Sequence, residues 1–118
     1  MSDNDKIFFL QKQMHKVSQD LAGMSEPLAS ARQVKEYDGD RRKRLLAIAM
    51  KVFIELGDSA ASADCKARAS DSYGEGLIKL SGEYLSAMET VEKHDALKVQ
   101  FASAQSLLAV EREKLSRI

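Results

Sequence analysis

The feature that most constrains this chain of 118 residues is the helical spacing of its apolar residues. Near the N-terminus they recur at alternating intervals of three and four, which places them along one narrow stripe of a helix. This first seam consists of Ile7, Leu10, Met14, Val17, Leu21, Met24 and Leu28. The chain has one proline, seven aromatic residues and no tryptophan, which disfavours a β-sandwich. The pattern predicts an all-α fold.

Interruptions of the seams divide the chain into two arms. One further seam precedes Gly57 and consists of Val34, Leu45, Ile48, Val52 and Leu56. The first seam after Gly57 consists of Tyr73, Leu77, Leu80, Tyr84, Met88 and Val91. The last consists of Leu97, Phe101, Ala104, Leu108 and Leu115. Gly57 suits the position after a helix end, and Asp58 or Ser59 can cap the next helix. We therefore expect an arm over 4–56, a turn over 57–59 and an arm over 60–116. Together they form a single helical domain, a long antiparallel, coiled-coil-like hairpin.

The N-terminal arm has a break near 23–27. Pro27 suits the first turn of a new helix capped by Ser25 or Glu26, and a kink in one helix fits equally well because the seam continues into Leu28. Asp3 or Asn4 is the expected N-cap of the arm. Folding the arms about 58–59 sets residue n opposite roughly residue 117 − n at matched helical rise.

A lone pair of thin helices buries little surface, since even small globular domains bury only about 60% of the surface of their unfolded chains. A third helix, formed when the first helix folds back, or other protomers would cover the seams. We expect self-association. Gly74, Gly76 and Gly82 each cost a helix about 1 kcal/mol relative to alanine. They mark either a loop near 74–76 or a close approach by a helix or ligand.

Composition limits the classes of function. Lysines and arginines number 18 and acidic residues 18, so zero net charge disfavours a general nucleic-acid coat and leaves room for a local basic patch. The single cysteine, Cys65, forms no intrachain disulfide and indicates a reducing compartment. No apolar run approaches the roughly 20 residues of a membrane span, and the acidic N-terminus is unlike a signal peptide. We expect a cytoplasmic protein without a membrane partner.

Residues for enzyme chemistry are sparse. Cys65 has no histidine near it in sequence, and a small half-buried residue of an Ala-rich helix is the simpler interpretation. His94 and Asp95 are adjacent and point to different helix faces, so His94 suits a polar seam position that fixes register. No metal-ligand spacing or phosphate loop occurs. We expect no enzymatic activity, no metal and no cofactor.

The most prominent local feature is a run of four cations, Arg41, Arg42, Lys43 and Arg44. It is either a solvated face balanced by Glu36, Asp38 and Asp40 or a patch that binds phosphates. The expected pairing sets the run opposite residues 73–76 and Lys66 opposite Lys51. In this pairing, one side of the hairpin near the turn is lined by Arg44, Lys51, Lys66 and Arg68. Tyr73 would lie near enough to them to stack on a base.

A short signature follows the turn. Lys66-Ala67-Arg68, then Asp71, Tyr73 and Gly74, resembles the basic Lys-Ala-Arg signature of the UvsY-like recombination mediators of tailed phages. Met88-Glu89-Thr90-Val91, then Leu97-Lys98-Val99, is similar to a helical segment further along the same proteins. The resemblance covers about residues 60–110.

The resemblance implies a bacteriophage protein of the host-cell cytoplasm that binds single-stranded DNA and assembles into a ring. Such a mediator helps a RecA-type recombinase load where single-strand-binding protein covers the DNA. Lys66 and Arg68 would then bind DNA. Val91, Leu97, Phe101 and Leu108 would form the oligomer contacts. Two alternatives remain open: a helical protein-interaction module without DNA binding, such as a phage-encoded inhibitor or adaptor, and a structural coiled coil.

Overall fold

The computed structural model describes residues 2–117, and within this range the chain is α-helical without a strand. Its helices are α1 (Asp3–Gly23), α2 (Ser25–Glu55), α3 (Ala60–Arg68) and α4 (Asp71–Ser116). The predicted all-α helical hairpin is confirmed.

The first two helices are separated by one residue. Ser2, rather than Asp3 or Asn4, caps α1, since its hydroxyl accepts a hydrogen bond from the Asp5 amide at 3.2 Å. Met24 follows the end of α1, and α2 begins at the next residue. Pro27 lies in the first turn of α2, where its missing amide proton removes no helical hydrogen bond. The break near 23–27 therefore separates two helices.

The turn after α2 is a glycine-based helix cap. Gly57 has a φ of 98°, a conformation that residues with a Cβ seldom adopt. Its amide donates to the carbonyl of Ile54 at 3.0 Å, and the amide of Asp58 donates to that of Phe53 at 3.1 Å. This pair of bonds is a Schellman motif. Ser59 then caps α3 through a 3.2 Å bond from the amide of Ser62 to its hydroxyl.

A second break follows soon after, at a position within the predicted arm over 60–116 where the sequence analysis places none. α3 ends at Arg68, and Ala69 and Ser70 lie outside both helices. The Ser70 hydroxyl donates to the carbonyl of Ala67 at 2.6 Å and accepts from the amide of Tyr73 at 3.4 Å. The Ser70 hydroxyl thus bonds to backbone groups that would otherwise take part in helical hydrogen bonds, and α4 begins at the next residue.

The chain divides into two compact units. The central unit spans Ser30–Glu89, and the terminal unit joins the described residues before and after it. In the terminal unit, the first seam, which runs along α1 into the start of α2, and the last seam of α4 supply the buried residues Leu10, Val17, Leu28, Ala104 and Leu108. Phe8 and Phe9 lie off the seam and are exposed.

The two predicted seams of α4, which end at Val91 and begin at Leu97, lie on one continuous helix. His94 occupies the missing seam position, with a side chain only 16% exposed. Glu111 occupies a later one and is 12% exposed. Glu111 fits the alternation of three and four, whereas His94 lies three residues from both Val91 and Leu97. The helix continues through both positions, so polar residues replace apolar ones there without breaking it.

Alanine dominates the core of the central unit: its buried residues are Ala31, Ala49, Ala63, Ala67, Leu80 and Ala87. Ala63 and Ala67 of α3 are completely buried. The predicted second seam is wrong over its last half, since Ile48, Val52 and Leu56 are exposed. Each residue turns a helix by about 100°, so a face built on Ala49 directs Ile48 away from the core.

The pairing of α2 with α4 in the central unit is antiparallel. Arg41 reaches Glu83, whereas Leu45, one turn later on α2, lies against Gly76, earlier on α4. The predicted pairing set Arg41 opposite residue 76, and the observed partner lies about two helical turns further along α4. The connection between α2 and α4 is longer than a simple turn, because it contains α3 and the break at 69–70.

The glycines of α4 lie inside a continuous helix, so they mark no loop at 74–76. A Cβ on Gly76 would lie 2.7 Å and 2.8 Å from the two Cδ atoms of Leu45. Within residues 2–117, no such neighbour lies within 4 Å of a Cβ on Gly74 or Gly82. Close approach by a helix therefore explains Gly76, and nothing in the structure explains the other two.

Candidate nucleic-acid interface

The cations predicted to bind DNA all lie in the central unit. α2 positions Arg41, Arg42, Lys43, Arg44 and Lys51, and α3 positions Lys66 and Arg68. All are exposed except Arg42, which is half-buried. Exposure leaves these side chains accessible to a large polyanion.

Five of these seven cations are paired with carboxylates. The shortest nitrogen–oxygen distances are 2.6 Å for Arg41–Glu83, 2.8 Å for Arg42–Asp38, 3.9 Å for Lys51–Glu55, 2.9 Å for Lys66–Asp58 and 3.2 Å for Arg68–Asp64. Each pair is locally neutral. A phosphate that binds one of these cations must therefore compete with a carboxylate.

The basic residues of the Lys-Ala-Arg segment illustrate this competition. The ammonium of Lys66 donates to both carboxylate oxygens of Asp58, at 2.9 Å and 3.0 Å, and so folds back onto the turn before α3. The guanidinium of Arg68 donates to Asp64 one helical turn earlier. Lys66 and Lys51, predicted to face each other, each engage a separate carboxylate.

Two cations of the run, Lys43 and Arg44, have no ion-pair partner among the described residues. Arg44 lines an open groove between α2 and α4 together with Arg41 and Lys79. The groove has a volume of about 290 Å³, and its remaining lining consists of Leu45, Ile48, Gly76 and Leu80. We call it the basic groove.

Lys79 is the functional candidate that sequence reasoning missed. The predicted pairing set residues 73–76 opposite the cationic run, and the observed pairing brings residues 76–83 there instead. The spacing of Gly76, Lys79 and Leu80, three and four apart, marks one stripe of α4 and is the signal that indicates their shared face.

The other predicted residues lie outside the basic groove. Lys51, Lys66 and Arg68 do not line it. Tyr73 is half-buried, and its amide bonds to Ser70 at the start of α4. Of the predicted site residues, the structure therefore brings Arg41 and Arg44 together in the groove.

The predicted oligomer contacts lie on the terminal part of α4. Leu108 is 5% exposed, so its own chain covers it. Val91, Leu97 and Phe101 are half-buried. The exposed large apolar side chains nearby are Val99, Leu107 and Val110. A second protomer at this part of the helix would meet those three residues first.

The described residues offer few groups for metal binding or catalysis. Residues 2–117 contain no cluster of three or more histidine, cysteine or acidic side chains suited to a metal ion. Cys65 is a free thiol, and it is exposed, so the expected half-buried position is wrong. Nδ1 of His94 lies 3.6 Å from Asp95 Oδ1, beyond hydrogen-bond reach. In the described part of the chain, no helix combines the length and hydropathy of a membrane span.

No protein-family model, curated protein or solved structure matches this chain.

Proposed function

We propose that this chain is a phage-type recombination mediator that binds single-stranded DNA non-specifically and helps a RecA-type recombinase load against single-strand-binding protein. The observation that carries the proposal is the grouping of Arg41, Arg44 and Lys79 around one open groove. The Lys-Ala-Arg segment at 66–68 and its resemblance to recombination mediators support the same function.

The mechanism is electrostatic and non-enzymatic, and it needs no cofactor. Lysine and arginine contact the DNA backbone, which gives affinity without reading the sequence. A homo-oligomer would repeat the patch along one strand, and the linked contacts would raise the effective concentration at each further site. The bound strand would then be offered to the recombinase in the host-cell cytoplasm.

The decisive experiment follows recombinase loading on poly-dT that is saturated with single-strand-binding protein. We expect the chain to shorten the lag before DNA-dependent ATP hydrolysis by the recombinase. A fixed lag at all concentrations of the chain would contradict the mediator function. Single-stranded DNA binding in the same samples separates a failure of loading from a failure to bind.

A second prediction concerns the Lys-Ala-Arg segment. Replacing Lys66 and Arg68 with alanine should weaken binding to single-stranded DNA and lower its salt dependence, because two phosphate contacts are lost. The mass of the oligomer should not change, since both side chains are exposed. Binding that equals that of the unmodified chain at low salt would refute the assignment of these two residues.

One observation favours a second function, a protein-interaction module without DNA binding. Ile48, Val52 and Leu56 are 60%, 56% and 76% exposed, and their spacing of four places them on one side of α2. An exposed apolar stripe of this kind is suited to a partner helix. A chain that captures a cellular protein but binds no DNA at low salt would support this function.

A further inference from the structure

The central unit contains two classes of cation that differ in the net charge they offer a ligand. Arg42, Lys66 and Arg68 each have a carboxylate within 3.2 Å. Arg44 and Lys79 have none within ion-pair distance among the described residues. Charges interact over a screening length of only about 10 Å at moderate salt, so local pairing outweighs the zero net charge of the chain.

Two of the cations that have no ion-pair partner among the described residues lie at one groove. Arg44 comes from α2 and Lys79 from α4, and both line the basic groove. Arg41 lines it as well and is held by Glu83. No acidic side chain of the described residues lines the groove. Three cations and the one carboxylate bound to Arg41 leave a local charge of about +2, enough to attract a phosphodiester.

The floor of the basic groove suits a nucleic-acid strand without sequence preference. Leu45, Ile48 and Leu80 present methyl groups, which offer no donors or acceptors to base edges. Gly76 leaves the space that the methyl groups of Leu45 occupy, and this keeps the two helices close. The cations of both helices therefore reach the same groove.

We propose that Arg44 and Lys79, assisted by Arg41, are the primary phosphate-binding residues of this chain, and that the basic groove takes a backbone phosphate of single-stranded DNA. This proposal rests on the proposed function and gives it a site. Lys66 and Arg68 contribute less, because each must first leave its carboxylate.

The test compares two double variants of the full chain by titration of fluorescent poly-dT at about 50 mM and 200 mM salt. One variant combines Arg44→Ala with Lys79→Ala. The matched control combines Arg32→Ala with Lys35→Ala. It removes the same charges from exposed residues of α2 that lie outside the groove and have no ion-pair partner in the described part of the chain. Circular dichroism and mass measurements verify the helical content and the assembly of each variant.

We expect the groove variant to bind at least about tenfold more weakly at low salt, since two charge-assisted contacts with the DNA backbone are lost. Its salt slope should fall by about 1.4, the value for two contacts with a single strand. The control should change affinity by about twofold, through long-range attraction alone.

The outcomes separate the two levels of the proposal. An unmodified chain that binds no poly-dT contradicts the proposed function itself. Binding by the unmodified chain with equal losses in both double variants overturns the groove assignment and leaves the function standing. Inorganic pyrophosphate tests whether the groove takes small phosphates instead. Pyrophosphate that binds the unmodified chain more tightly than the groove variant, while both chains bind poly-dT equally, would assign the groove to small phosphates and overturn its role with a strand.

Discussion

At the scale of single residues, Gly76 shows how one missing side chain shapes the candidate site. A Cβ at this position would overlap both methyl groups of Leu45. A glycine inside α4 lowers helix stability, and the close approach of α2 and α4 beside the basic groove offsets that cost. Gly82, on the same helix, faces open space and brings no comparable packing.

The two glycines therefore predict opposite effects of alanine. Gly82→Ala should raise the free energy of unfolding by about 1 kcal/mol, the gain in helix propensity. Gly76→Ala should gain nothing or lose stability, because the methyl group overlaps Leu45. Urea denaturation of both variants measures the difference, and the further substitution Leu45→Ala should restore part of the loss. Equal gains at both positions would contradict the close approach.

A second residue-scale prediction concerns the carboxylate that holds Arg41. Glu83→Gln keeps the shape of the side chain but removes its charge, so Arg41 becomes available to a phosphate. Affinity for poly-dT should rise several-fold and the salt slope should steepen by about 0.7. Stability should change by less than about 1 kcal/mol, because the pair is partly exposed.

The matched control is Glu36→Gln, which removes an exposed acidic charge of α2 that has no ion-pair partner among the described residues. It changes the net charge by the same amount and leaves the basic groove intact. Equal gains in affinity from Glu36→Gln and Glu83→Gln would show that net charge, rather than the release of Arg41, controls binding.

At the scale of elements, α3 is the part that sequence reasoning places least well. Its nine residues pack through Ala63 and Ala67, which are completely buried. Alanine carries little periodic signal, because it is common on every face of a helix. The break at Ala69 and Ser70 depends on one serine hydroxyl, and such bonds compete only weakly with helical ones.

This packing predicts a sharp contrast within α3. Ala63→Leu should lower the free energy of unfolding by about 1–3 kcal/mol, because a larger side chain overfills a closely packed core. Ala61→Leu, at an exposed position two residues earlier, should change it by less than about 0.5 kcal/mol. Far-UV circular dichroism during chemical denaturation measures both. Similar stabilities would mean that α3 is not packed as described.

At the scale of the whole molecule, the sequence predicts the helical class, the turn at Gly57 and the inward faces of α1 and α4. These features depend on periodicity and on capping residues, which act locally. The pairing of α2 with α4 depends on the length of the connection between them, and α3 changes that length. For this reason the sequence placed Arg41 and Arg44 in the site but missed Lys79.

In the candidate site, too, some features can be predicted from local sequence and others depend on how the helices pair. The cationic run is visible in the sequence, whereas its pairing with carboxylates is not. Glu83 and Lys79 lie about forty residues beyond the run and reach it only through the observed register. The resemblance ranks Lys66 and Arg68 first, and the structure shifts the proposed emphasis to the unpaired cations of the basic groove.

The most direct test of the central claim is the binding of the unmodified chain to fluorescent poly-dT at about 50 mM and 200 mM salt, with its mass recorded in parallel. We expect binding at the lower salt by an oligomer, with affinity that falls steeply at the higher salt. An intact, folded chain that binds no poly-dT at the lower salt would contradict the account.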